Sequence, residues 1–297
     1  MIKHTEAPSL RNRKSRICAV AMSALAVLIS LCGDARAAEE KAKALPVDRS
    51  VKILHRSYGN TVTFYAVLTN CSEATINLNL TLQNMTASAG LPLTVDAAGR
   101  RLFDLLTIRP IDPNHRWSFA SRYHFEIGRR YFGEHRSFAY ALPYTNQTFK
   151  VIQGPLGNFS HRAGSQWENA VDFEMPVGAT VCAARNGTVV AIRQDSDVGG
   201  PELKFEPCCN YVTIRHDDGT FAMYSHLEKD SAMVKLGQKI NIRDPLALSG
   251  NTGHSTGPHL HFDVFCTIDG ETRRTIPIQF MTKPGVVESL KEGEAYP

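Results

Sequence analysis

The chain holds 297 residues, with 33 Lys+Arg, 29 Asp+Glu, seven cysteines and a formal net charge of +4. Six of the basic and two of the acidic residues fall within residues 1–37, so the remainder carries equal numbers of the two signs. That balance excludes a global electrostatic case for nucleic-acid binding or for a polybasic membrane surface.

At the amino terminus, Arg11, Arg13, Lys14 and Arg16 precede an uncharged stretch from Ile17 to Leu31, and Ala35-Arg36-Ala37 follows. Charged region, apolar core and small-residue site are the parts of a secretory signal peptide, so residues 1–37 are expected to be removed after Ala37. The apolar stretch is shorter than the roughly 20 residues of a membrane span. Export to the periplasm, the cell envelope or the extracellular space, with no stable membrane span after cleavage, is therefore expected. Lipid attachment at Cys32 is disfavoured, because Leu31 stands where a small residue normally precedes a lipidated cysteine.

What remains, roughly 260 residues, suffices for two domains with real cores. It holds Cys71, Cys182, Cys208, Cys209 and Cys266. An oxidising compartment predicts one or two disulfides, one of them involving Cys208 or Cys209, with a thiol left over.

Residues 46–145 show short runs of β propensity, among them Thr61 to Leu68, Thr75 to Leu82 and Tyr123 to Ile127. The second alternates apolar and polar residues, as a strand with one buried face does. Turn residues between the runs suit an immunoglobulin-like β-sandwich. His55, His115, His124 and His135 are scattered here and read as surface or packing residues. Asn146 to Gly154 reads as a linker.

Residues 150–297 continue in strands: Val181 to Ala184, Thr188 to Ile192, Tyr211 to Arg215, Phe221 to His226 and His259 to Val264. No long helix-period stretch interrupts them, so the chain as a whole is predicted to be all-β. Asp217-Asp218-Gly219 is a hairpin turn, with His216 at its solvated start. In the last strand side chains alternate faces, so His259 and His261 share one face while Leu260, Phe262 and Val264 take the other. Two imidazoles on one face can both ligate a metal, or divide the work between ligand and base.

Several motifs in order resemble the lysostaphin/LytM-type zinc peptidases. They are Asp172 to Val181, Ala184 to Val189, His216-Asp217-Asp218-Gly219-Thr220, Tyr224-Ser225-His226-Leu227, Val234 to Gln238, and Ser249 through His261-Phe262. The likeness covers about residues 155–280. It implies a compact antiparallel β metallopeptidase domain, one Zn2+ per chain and peptidoglycan peptides as substrate. Carried over, it makes Asp172 and His261 metal ligands, His259 the base and His226 the stabiliser of the tetrahedral intermediate.

One position departs from the family's His-x-x-x-Asp motif: Glu168 stands four residues before Asp172. Some family members carry a Ser-His followed by a longer loop, and Ser160-His161 fits that form, so His161 is expected as the third ligand. The other possibilities are Glu168 as a carboxylate ligand, or a metal-free LytM-like scaffold that binds cell wall or activates another hydrolase. The sandwich could also serve adhesion or recruit a protein partner. The insertion from Asp195 to Pro207 is expected to form a groove wall or to cover part of the site.

Overall fold

The computed structural model describes residues 48–131, 133 and 138–297. The signal-peptide segment with Cys32, and His135, lie outside the described residues. The fold is all-β: among the described residues the one helical element is a short 3-10 turn, Leu203–Cys208. No helix there is long and apolar enough to cross a membrane.

Seven strands build the first half: β1 (Val51–Tyr58), β2 (Thr61–Leu68), β3 (Glu73–Gln83), β4 (Met85–Ala87), β5 (Leu93–Ala98), β6 (Leu102–Pro110) and β7 (Ser118–Ile127). They form a four-stranded sheet in the order β1-β2-β6-β4 and a three-stranded sheet in the order β5-β3-β7. The alternation in β2 and β3 sends Val62, Phe64, Ala66, Ile76, Leu78 and Leu80 into one core between the sheets. Asn84 lets the chain change sheets between β3 and β4. Its φ is 52°, a region Asn tolerates, and its side chain bonds Asp112 twice, through Nδ2 to the carbonyl oxygen and Oδ1 to the amide.

In the second half the strands are β8 (Ala139–Ala141), β9 (Phe149–Gln153), β10 (Val171–Phe173), β11 (Thr180–Cys182), β12 (Gly187–Arg193), β13 (Gly199–Gly200), β14 (Tyr211–Arg215), β15 (Phe221–Ser225), β16 (Lys239–Ile240), β17 (Pro245–Leu248), β18 (Gly253–His254), β19 (Leu260–Thr267) and β20 (Arg273–Thr275). Three more strands follow, β21 (Gln279–Thr282), β22 (Gly285–Val287) and β23 (Ala295–Tyr296), and the main sheet runs β16-β12-β14-β15-β19-β10-β9-β23, with β20 also paired to β19. The hairpin between β14 and β15 is present, with Gly219 at φ 82°, which its lack of a Cβ permits. His216, expected in solvent, is instead buried and bonds the Asn186 carbonyl through Nδ1 at 2.7 Å. The expected linker is also no linker. Its residues Phe149–Gln153 are β9, paired with β10, and Val151 is fully buried, because alternate Phe149 and Val151 supply an apolar face the sheet can cover.

Strand pairing gives the main sheet two unlike faces. Val171, Phe173, Val212, Ile214, Ala222, Tyr224, Leu260, Phe262 and Val264 point into the core of the second half. On the opposite face, Asp172 stands across from His261, His261 from Ser225, Asp263 from Met223 and Phe265 from Phe221. That face is shared along its length. Its polar end carries the histidines, while Tyr211, Phe221, Met223 and Phe265 join the sandwich core. Backbone bonds stitch the seam, including Ser72 N to Val190 O at 2.8 Å and Ile192 N to Asn70 O at 2.9 Å.

The expected disulfides are not formed: all five described cysteines are buried free thiols. Adjacent Cys208 and Cys209 are not bonded to each other, and Cys209 Sγ lies 3.6 Å from His226 Nδ1.

Candidate metal centre and cavity

His161, Asp172 and His261 come from a turn, β10 and β19, and each offers a ligand atom within 4.8 Å of the others. Asp172 Oδ1 lies 2.9 Å from His261 Nδ1 and 3.5 Å from His161 Nε2. The two imidazoles face each other with Nε2 of His161 3.4 Å from Nδ1 of His261. Sheet register delivers two of these groups, because directly opposed residues on antiparallel strands hold their side chains side by side.

The third arrives by loop anchoring. Gln153 accepts the Ser160 amide at 3.0 Å and donates to Ser160 Oγ at 2.7 Å and to Asp172 Oδ2 at 3.0 Å. One amide side chain thus fixes both the loop and the carboxylate. Glu168 does not approach the cluster: its Oε2 accepts the Gly164 amide at 2.8 Å and closes the loop that carries His161.

His226 and His259 stand beside the three, their ring centroids 4.4 Å apart. His259 Nε2 is 3.9 Å from Asp172 Oδ1. A carbonyl oxygen only accepts, so a ring nitrogen facing one carries the proton. Nδ1 of His161 faces Gly154 O at 3.2 Å, Nδ1 of His226 faces Thr252 O at 2.7 Å, and Nδ1 of His259 faces Gly257 O at 2.8 Å. In the neutral ring each of these leaves Nε2 with its lone pair. His261 is turned the other way, Nε2 to Asp263 Oδ2 at 3.0 Å and Nδ1 inward. His226 adopts φ 63°, uncommon for a residue with a Cβ, and is held there by Cys209 and Thr252.

Burial and charge divide the histidines. Burial pushes His226 and His259 down to about 4, with neighbouring imidazoles adding in the same direction, so both are neutral at neutral pH. Burial also opposes charge on His261, but Asp172 and Asp263 outweigh it and raise the ring to about 10. Asp172 is held well below its usual value, since hydrogen bonds from His161 and His261 overcome its burial.

Asp172, His226, His259 and His261 floor a cavity of about 580 Å3. Ile152, Phe159 and Trp167 line it on the side of the His161 turn, and Ser255 to Pro258 line it beside His259. The insertion contributes as expected. β13 pairs in parallel with β18, and Glu206 of the following 3-10 turn reaches the cavity wall. His254, at the rim, bonds Pro201 O at 2.9 Å.

Sequence reading missed Gln153, Cys209, Asp263 and Arg273. Asp263 was within reach, because the two-residue period that pairs His259 with His261 also puts residue 263 on their face. Arg273 and Gln153 carry no local signal; only strand pairing brings them in.

Residues 166–272 match the family described as Peptidase family M23. His161 lies just upstream of that range. The peptidoglycan DD-endopeptidase ShyA of Vibrio cholerae is 40% identical over 96 residues, 32% of this chain and 20% of that protein. An uncharacterized metalloprotease of Buchnera aphidicola is 38% identical over 95 residues, 32% of this chain and 22% of that protein. The chain thus spans about a fifth of the length of these curated relatives. Among solved structures, the catalytic domain of lysostaphin from Staphylococcus simulans is 24% identical with a TM-score of 0.31, covering 43% of this chain and 87% of that one.

Proposed function

Because residues 166–272 carry a Peptidase family M23 domain, we propose that this protein is an exported zinc endopeptidase hydrolysing peptide bonds of bacterial peptidoglycan. The observation that carries the reading is the convergence of His161, Asp172 and His261, of which Asp172 and His261 line an open cavity while His161 is buried behind them, with two further imidazoles alongside. The donor set suits zinc: two imidazole nitrogens and one carboxylate oxygen, each imidazole braced from behind by a carbonyl or carboxylate. Three protein ligands leave room for a fourth, the arrangement of catalytic rather than structural sites.

Zinc bound there would supply Lewis acidity, bringing the pKa of water from about 15.7 to about 7. The chain's own groups do the rest. Nε2 of His259, a lone pair on a neutral ring, accepts the proton of the attacking water and returns it to the leaving amine, a contribution of about 10²- to 10⁴-fold. Nε2 of His226 can donate to the tetrahedral oxyanion only when the ring is protonated, since Nδ1 is already committed to Thr252. We therefore assign the stabilising role to the imidazolium form of His226, which takes up a solvent proton separate from the one His259 carries between water and amine; the two rings lie beside each other, with centroids 4.4 Å apart.

Two features favour a metal-free scaffold that binds cell wall or activates another hydrolase: Glu168 four residues before Asp172, and the extra β domain. The approach of His161 to Asp172 and His261 supports the zinc reading against it. The test is metal analysis of the purified protein together with mass spectrometry of digested cell walls. About one zinc per chain and newly released amines are expected. A folded, zinc-loaded protein inert against several wall chemistries would refute the reading.

A further inference from the structure

The carboxylate behind His261 lies where the two halves of the molecule meet. Asp263 is buried, and its Oδ2 sits 3.0 Å from His261 Nε2 and 3.6 Å from Arg273 Nη2. A carboxylate accepts, so Nε2 of His261 holds a hydrogen and Nδ1 is the nitrogen left to face Asp172 and His161.

Arg273 cannot swing away from this duty. It is 4% exposed, its Nη1 reaches Met223 Sδ at 3.3 Å, and its guanidinium lies over the Phe265 ring at 4.7 Å. Met223 and Phe265 belong to the core shared with the sandwich. From the sandwich side the buried carboxyl of Glu126, on β7, has Arg273 as its main favourable charge contact. The guanidinium is thus packed by Met223 and Phe265 of the shared core, feels the buried Glu126 of the sandwich, and borders the cavity on its other side.

We propose that Asp263, anchored by Arg273 at the seam with the sandwich, is a positioning residue that fixes the ring of His261 with Nδ1 toward the metal. It makes the amino-terminal half part of the metal site's support rather than a detachable module. The inference rests on the zinc reading above.

The alternative is a buried ion pair that only stabilises the fold. Such a pair would change the melting temperature on substitution and leave metal affinity alone. The experiment is zinc affinity of the full chain by chelator competition, with the visible spectrum of the cobalt(II)-substituted protein as a report on ligand geometry. Asp263→Asn is expected to weaken zinc binding by roughly 10- to 100-fold, the range for partners that brace a ligating histidine, and to alter the cobalt spectrum. Arg273→Lys is expected to weaken it several-fold, and the double variant to bind about as weakly as Asp263→Asn, because both act through one chain of contacts. Asp217→Asn, at an exposed carboxylate paired with Arg185, serves as the control.

A wild-type protein that binds one zinc, with Asp263→Asn within twofold of it and an unchanged cobalt spectrum, overturns the proposal. Wild type without zinc overturns the parent reading instead. Should Asp263→Asn fail to fold, Arg273→Lys carries the test alone: unchanged affinity overturns the proposal.

Discussion

Glu126 offers a way to measure how dry the seam is. Its carboxyl is 3% exposed, its Oε1 has no hydrogen-bond partner among the described residues, and burial pushes it up from 4.5 to about 8 even though Arg273 acts against the shift. The folded state therefore holds a proton that the unfolded chain releases once the pH passes about 4.5. Stability falls as pH rises through the window from about 4.5 to about 8 and is lowest above it. At about 1.36 kcal/mol per unit, the full window corresponds to at most about 5 kcal/mol. Glu126→Gln keeps the shape and cannot ionise. Urea unfolding of both proteins in the presence of a chelator, at pH 5, 7 and 8.5, isolates the term, because His261 and Glu206 titrate in both and cancel in the difference. The stability difference should swing by several kcal/mol in favour of the variant between pH 5 and 8.5. Parallel stability curves across that range would show that Glu126 is solvated or fully paired, and the account of a dry seam would fail.

Other expectations follow from the site. His161→Ala and Asp172→Ala should each lose stoichiometric zinc by elemental analysis, whereas His259→Ala should keep most of it while kcat falls about 10²- to 10⁴-fold. Since His261 is raised to about 10 and must give up a proton to act as ligand, apparent zinc affinity should fall about tenfold per unit as pH drops below that value, read by buffered chelator competition. Phe262→Ala, on the fully covered face of β19, should cost about 3–5 kcal/mol of stability in denaturant unfolding, with the metal ligands themselves untouched.

The ordered motifs and the two-residue period of the last strand made the family, the all-β fold and the inward face of His259 and His261 legible in the sequence. Leu260, Phe262 and Val264 do occupy the opposite face. His161 was legible only as a histidine in a loop of uncertain reach, and Gln153 is what brings it home, a contact across the sheet with no sequence pattern behind it. The misreadings share one cause. Phe149–Gln153 looked like a connector and His216 like a turn residue because isolated stretches do not reveal which neighbour will cover them. The cysteines were read from compartment chemistry, and packing buries all five as free thiols.

The surface that bears the histidines continues without a break into Tyr211, Phe221, Met223 and Phe265, all covered by the sandwich. An engineer who trims this protein to its second half would lay bare four large side chains, at about 1.5–3 kcal/mol each, beside the histidine cluster. Solubility would suffer first. A minimal version cut from this chain therefore needs that patch redesigned with polar residues, and Gly128, whose bare backbone seats the Phe221 ring, marks where the lost cover used to press.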